Sequence, residues 1–267
     1  MINQHTLEVL EYHKVIALIG GKCLTPIGHE YVAKFAPMSD PAQINRRQDE
    51  IQQINDIINF GTPFPLERLE DATPFIEHAK LEGVFIEPSE IMTVLRLVDD
   101  SIALHGYDKE NRLKFPLIDE YLKRIRAFPE LKKQIIDALE PTGEVKDSAS
   151  PTLRRIRIDL HETRRKTISR LESIIGGQRK QAGWQDDIVT QRNDRYVIPV
   201  VSANYRADMG ILHDRSQSGA TLFIEPQEVV EMNNRLHLLM QEERLEIDRI
   251  LRAITREIGQ RAEALLE

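Results

Sequence analysis

Up to Val145, apolar residues recur every three or four positions in short runs separated by glycine and proline, the spacing of small amphipathic helices. Leu7, Leu10, Val15, Ile16 and Ile19 predict a first helix that stops at Gly20-Gly21. Asp40-Pro41 is an N-cap acid followed by a first-turn proline. The helix it starts places Ile44, Ile51, Ile54 and Ile58 on one face and ends at Gly61. Pro88 opens another, with Ile91, Val94, Val98, Ile102 and His105 in step before Gly106. Helices over Leu117–Ala127 and Leu131–Leu139 follow, the last broken at Pro141-Thr142-Gly143. These faces are expected to share one core.

After Ser150-Pro151, again a cap and a first-turn proline, the runs lengthen. Leu153, Ile156, Leu160, Arg164, Thr167/Ile168, Leu171 and Ile175 step by three and four up to Gly176-Gly177. A second long helix begins at Glu225-Pro226. It carries Asn233, Leu236, Met240, Glu243, Ile247, Ile250 and Ile254, a narrow heptad-like seam suited to a partner helix. Helical to Glu267, it would reach roughly 60 Å at about 1.5 Å per residue. No cap signal closes it, so the chain is expected to be a fragment. Between the long helices the period turns to strand. Ile188-Val189-Thr190 and Tyr196-Val197-Ile198 flank a turn at Arg192-Asn193-Asp194, and Ile211-Leu212-His213 and Ala220–Ile224 flank one at Ser216-Gln217-Ser218-Gly219. The predicted fold is mainly α with a small β tip, the two long helices antiparallel and the sheet at their far end.

Composition narrows the function classes. The 267 residues carry 36 Lys+Arg against 43 Asp+Glu, net −7, which excludes a protein that coats nucleic acid with its whole surface. From Ser150 to Ala220, however, 13 basic residues face 8 acidic ones, a local +5 that can confine polyanion contact to one region. No apolar stretch approaches the roughly 18 residues of a membrane span, and Met1–His5 lacks the basic and apolar regions of a secretory signal. The single cysteine, Cys23, excludes an intrachain disulfide and reads as a buried structural thiol in a reducing cytoplasm.

The hairpin region also carries a resemblance. Arg192-Asn193-Asp194-Arg195-Tyr196-Val197-Ile198-Pro199-Val200 resembles the clamp signature of the type-two MutS family. So does Gly210-Ile211-Leu212-His213-Asp214-Arg215-Ser216-Gln217-Ser218-Gly219-Ala220-Thr221-Leu222-Phe223-Ile224-Glu225-Pro226. Val229–Leu236, Leu7–Ile19 and Ser148–Ile158 extend the likeness over nearly the whole chain. Two positions depart from the pattern: Val201, where the family often has lysine, and Arg215, where it more often has glutamine or an acid. The resemblance implies a helical core at 1–147, a first lever helix at 148–183, a β-rich clamp at 184–225 and a returning lever helix at 226–267. It also implies a parent protein with an ATPase domain that binds ATP and Mg²⁺, makes the main homodimer contacts and precedes a nuclease-like domain. Neither Gly20-Gly21-Lys22 nor Gly176-Gly177 has the Gly-x4-Gly-Lys-Ser/Thr spacing that wraps phosphates, so this chain is expected to hold no cofactor.

Chemistry by this chain is not expected. His213, Asp214, Ser216 and Ser218 share one hairpin, where nucleophile, base and orienting acid cannot line up; local turn bonding is the expected role. Asp186-Asp187 with His213 could in principle bind a divalent metal, but two adjacent acids before a strand read as a loop cap. The candidate nucleic-acid contacts are Arg179, Lys180, Arg192, Arg195, Arg206 and Arg215, beside Trp184 and Tyr196, with Trp184 expected to anchor the tip. Phosphate contacts of this kind read shape, not sequence, and the family's associations imply branched DNA, in suppressing recombination, or rRNA on a stalled or collided ribosome. The competing expectation is a protein-interaction stalk that touches no nucleic acid.

Overall fold

A computed structural model describes residues 4–65, 70–107, 112–178 and 189–267. The helices are α1 (Gln4–Val9), α2 (Tyr12–Gly20), α3 (Pro26–Ala33), α4 (Pro41–Phe60), α5 (Thr73–Ala79), α6 (Pro88–Gly106), α7 (Pro116–Leu122), α8 (Pro129–Ala138), α9 (Pro151–Gln178), α10 (Val230–Gln260) and α11 (Ala262–Leu266). The strands are β1 (Thr190–Arg192), β2 (Arg195–Val201), β3 (Ile211–Arg215) and β4 (Thr221–Glu225). The chain is therefore mainly helical with one small antiparallel sheet, as the periodicities predict. It divides into two compact units, 1–146 with 251–267, and 147–250, and α10 contributes to both.

In the first unit α3 to α8 each carry a proline in the first turn, where its missing N–H costs nothing. Ile76, Ile86, Ile91, Leu131, Ile135 and Ile258 are fully buried. The end of α10 packs so closely on α5 that a Cβ on Gly259 would stand 2.2 Å from the Ala79 carbonyl oxygen. Thr255 Oγ1 there accepts the Ile86 amide at 3.1 Å. A second cluster joins Ile57, Leu104, Tyr107, Ile118 and Leu122.

Several predicted details change. The first helix is two, because Glu11 takes a left-handed backbone at φ 51°; Leu10 and Glu11 amides close α1, and Lys14 starts α2 on the Glu11 carbonyl. The predicted face of α4 is buried only in part: Ile54 packs against the second cluster and Ile44 is half-buried, but Ile51 and Ile58 are 64% and 69% exposed. Polar side chains turn the helix. Glu50 is buried and meets Arg46, Arg47 and Tyr121. Burial pushes the Glu50 carboxyl up, but hydrogen bonds from Arg47, Tyr121 and Arg46 outweigh it and leave it below the usual range. Gln53 Oε1 accepts the Leu117 and Ile118 amides at 3.0 and 3.4 Å, which caps α7 from outside. Apolar residues of α1 to α4, among them Val9, Leu18, Ile27 and Phe60, are exposed. The predicted Leu117–Ala127 helix ends at Leu122, and two further helices, α3 and α5, open at Thr25-Pro26 and Thr73-Pro74. Cys23 is half-buried, its thiol donating to the Ile19 carbonyl oxygen at 3.7 Å.

The second unit is an antiparallel helix pair with the sheet at one end. Ser150 caps α9, its Oγ accepting the Leu153 amide at 2.9 Å and donating to Glu246 of α10 at 2.6 Å. Arg157 donates to Glu243 at 2.8 Å. Further along, Ile156 and Leu160 pack on Leu236 and Leu239, and Leu171, Ile174 and Ile175 pack on Val229 and Ile198. As numbers rise on α9 they fall on α10, which defines the antiparallel sense. The buried line on α10 is Asn233, Leu236, Leu239, Glu246 and Ile250, with Met240 and Ile247 only half-buried. A helix of 3.6 residues per turn drifts off a strict heptad, so the seam slides by one residue from its predicted path.

Candidate nucleic-acid interface

Strand order is β1-β2-β4-β3. In the first hairpin Arg192 faces Arg195 across Asn193 and Asp194, both left-handed at φ 50° and 61°. Two such residues give the turn whose twist matches the flanking strands. In the second, Ser216 Oγ accepts the Thr221 amide at 3.0 Å and Ser218 Oγ accepts the Ala220 amide at 3.4 Å. Gly219 supplies φ 72°, so the serines hold the turn as predicted. Gly210 meets the far end of β4, where a Cβ would lie 2.1 Å from the Glu225 carbonyl oxygen.

Register puts Arg192, Arg195, Asp214, Phe223 and Glu225 on one face of the sheet. At its centre is Glu225, whose side chain is 0% exposed. It accepts from Arg195 at 2.7 Å and from Asn233 at 2.6 Å, and His213 Nε2 lies against its other oxygen. A buried carboxylate persists only when paired and hydrogen-bonded in this way. His213 sits at the register shift between Leu212 and Asp214, which aims it at Glu225 and away from Ser216. Asn233 does more than pair. Its amide oxygen accepts the Tyr196 N–H and its amide nitrogen donates to the Tyr196 carbonyl, both at 3.0 Å. Continuing the β2–β4 register, Tyr196 would face Pro226, which has no N–H to offer. The helix side chain takes the missing strand's place.

The predicted contact residues thus divide. Arg195 is 26% exposed and donates to Glu225 and to Asn234. Arg192 lies over the Phe223 ring at 4.2 Å, pairs with Asp214 at 3.4 Å and donates to the Gln191 carbonyl oxygen at 3.0 Å, its side chain partly exposed. Arg206 is exposed and pairs with Asp208 at 3.2 Å. Arg215 is exposed and, among the described residues, its guanidinium has no ion-pair partner. Tyr196 is half-buried against both apolar clusters of the helix pair. Arg179, Lys180, Trp184, Asp186 and Asp187 lie outside the described residues. Among the described residues no three or more His, Cys, Asp and Glu gather as a metal site, and no helix is long and apolar enough to cross a membrane.

The chain aligns from end to end with three relatives. It is 36% identical to an endonuclease MutS2 of Geobacillus sp. over 100% of this chain. It is 35% identical to a putative endonuclease MutS2 of Bacillus subtilis over 99% of its length, and 31% identical to an endonuclease MutS2 of Alkaliphilus oremlandii over 98%. The chain is homologous to the MutS2 endonucleases. It spans about a third of the length of these curated relatives, 34%, 34% and 33% in the same order. No family model matches it. Against this MutS2 background, the Glu225–Asn233 centre is the feature sequence reasoning missed; its signal was polar residues, Asn233 and Glu243, standing in an otherwise apolar seam.

Proposed function

We propose that this chain is a non-catalytic nucleic-acid-clamping region of a MutS2-type protein, with unit 147–250 serving as paired lever helices and a β clamp. The observation that carries the reading is homology over the whole chain to about a third of the MutS2 endonucleases. It is supported by the local +5 charge of Ser150–Ala220 and by two exposed arginines of the sheet region, Arg206 in the connection between β2 and β3 and Arg215 at the start of the second hairpin turn. The nuclease activity in the relatives' names belongs, on this reading, to the two thirds that the chain does not match. In the whole protein two copies would dimerise outside this region, in the cytoplasm, and an ATP-driven lever rotation would close the clamps on branched DNA or on rRNA of a stalled ribosome. Recognition by phosphate contacts is of shape.

A specific observation favours a second reading, a protein-interaction stalk: Ile158, Leu238 and Leu245 of the helix pair are exposed apolar residues. Anisotropy of a labelled four-way DNA junction, titrated with salt, separates the two. Clamping predicts binding that weakens steeply with salt. The double variant Arg206→Ala, Arg215→Ala should lower affinity and flatten the log–log slope by about 1 for each phosphate contact removed. A folded chain that binds neither the junction nor an rRNA stem at low salt would end the clamping reading.

A further inference from the structure

Beyond the hairpins, we propose that the flank of α9 carries a second seat for nucleic acid, a phosphodiester-binding depression formed by Arg165, Lys166, Ser169, Arg170 and Ser173. The depression has a volume of about 640 Å³, and Met232 of α10 contributes an apolar wall. Its chemistry follows from helical spacing. Arg165, Ser169 and Ser173 stand one turn apart in a single row, and Lys166 and Arg170 form the adjacent row. Eight residues at about 1.5 Å each make the longer row roughly 12 Å long, room for more than one phosphate of a strand.

The charge in it is available. Lys166 pairs with Glu162 at 2.8 Å. The same carboxylate also attracts Arg165 through space, but among the described residues neither Arg165 nor Arg170 stands in an ion pair. That contrasts with the hairpin arginines, of which Arg195, Arg192 and Arg206 each already face a carboxylate. Guanidinium groups bind phosphate oxygens bidentately, and flanking hydroxyls donate to the same oxygens. The depression has no aromatic residue to stack a base, so the contact follows the backbone and is indifferent to sequence. An acidic protein surface fits less well, because protein interfaces bury an apolar centre and here Met232 stands alone among polar side chains.

This inference rests on the clamping reading only for the choice of nucleic acid, and its test separates the two. Arg165→Ala with Arg170→Ala is to be compared with Arg154→Ala with Arg244→Ala. All four are exposed positions of the same unit, the second pair lies outside the depression, and both variants lose the same charge. Junction affinity should fall on the order of tenfold for each arginine lost from the depression, the salt slope should flatten by about 2, and the control pair should change affinity less than threefold or so. Equal losses in both variants would mean general charge attraction and overturn the proposal. So would an unchanged Arg165→Ala, Arg170→Ala variant in a chain whose binding still depends on Arg206 and Arg215, which leaves the clamping reading standing. Competition by polyglutamate as strong as by DNA at equal charge would also overturn it. A native chain that binds no nucleic acid at low salt would remove both.

Discussion

One helix is held in two different ways along its length. From Val230 to Ile250, α10 faces the sheet and α9 along a narrow line that includes polar groups: Asn233 against Tyr196 and Glu225 of the sheet, Glu243 against Arg157, Glu246 against Ser150. From Leu251 to Gln260 it turns a broader face into the first unit, burying Leu251, Ile254, Thr255 and Ile258 beneath the close approach of Gly259. The apolar half gains from burial and tolerates any partner of matching shape. The polar half gains less energy per contact but admits fewer arrangements, because each donor must find its own acceptor. The stretch that needs a definite register uses directional bonds, and the stretch that needs cohesion uses bulk.

Three substitutions would break or sharpen that contrast. Glu225→Ala should have the largest effect, about 3–5 kcal/mol of stability, because it strands Arg195 and Asn233 without their buried partner; urea unfolding followed by circular dichroism measures it. A loss under 1 kcal/mol or so would mean that the centre is solvated and the polar half is not specifying anything. Gly259→Val should cost about 1–3 kcal/mol in the same assay, since its side chain must displace the Ala79 carbonyl. The smallest effect is expected from the Glu246 pair. A hydrogen bond from Arg249 lowers the Glu246 carboxyl to about 2, against the opposing effect of burial, with Ser150 helping. A depressed carboxyl stabilises the folded chain fully above its ordinary value of 4.5 and loses that contribution as pH falls towards 2. Arg249 is largely exposed, so the pair is screened and worth about 1 kcal/mol. Between pH 4.5 and 2 the native chain should lose stability more steeply than Glu246→Gln; parallel curves would show that the pair contributes nothing.

Features set by neighbouring residues were legible in the sequence. Ser150-Pro151 announces a capped helix, and Asn193-Asp194 and Ser216–Gly219 announce their turns, because the atoms that make each device lie within a few residues. Features set by distant partners were not. On α4 the isoleucines outline a convincing face, yet Glu50 and Gln53 choose the buried side by serving Tyr121 and α7, more than sixty positions away. Arg192 and Arg195 look alike and share a sheet face. Glu225, thirty positions from Arg195, makes that one an internal strut, while Arg192 pairs with Asp214 and stays more exposed. The depression on α9 is half visible in the sequence: its residues fall within the basic stretch from Ser150 to Ala220, but the three-and-four stepping puts Arg164 in the seam, whereas the helix turns it outward.

At Tyr196 the sheet borrows an amide from a helix where the next strand would run. A side chain so engaged leaves the first turns of α10 no freedom to swivel or slide independently of β2. Torsion applied to that helix would arrive at the Asn193-Asp194 loop as displacement, with no soft joint between them to absorb it.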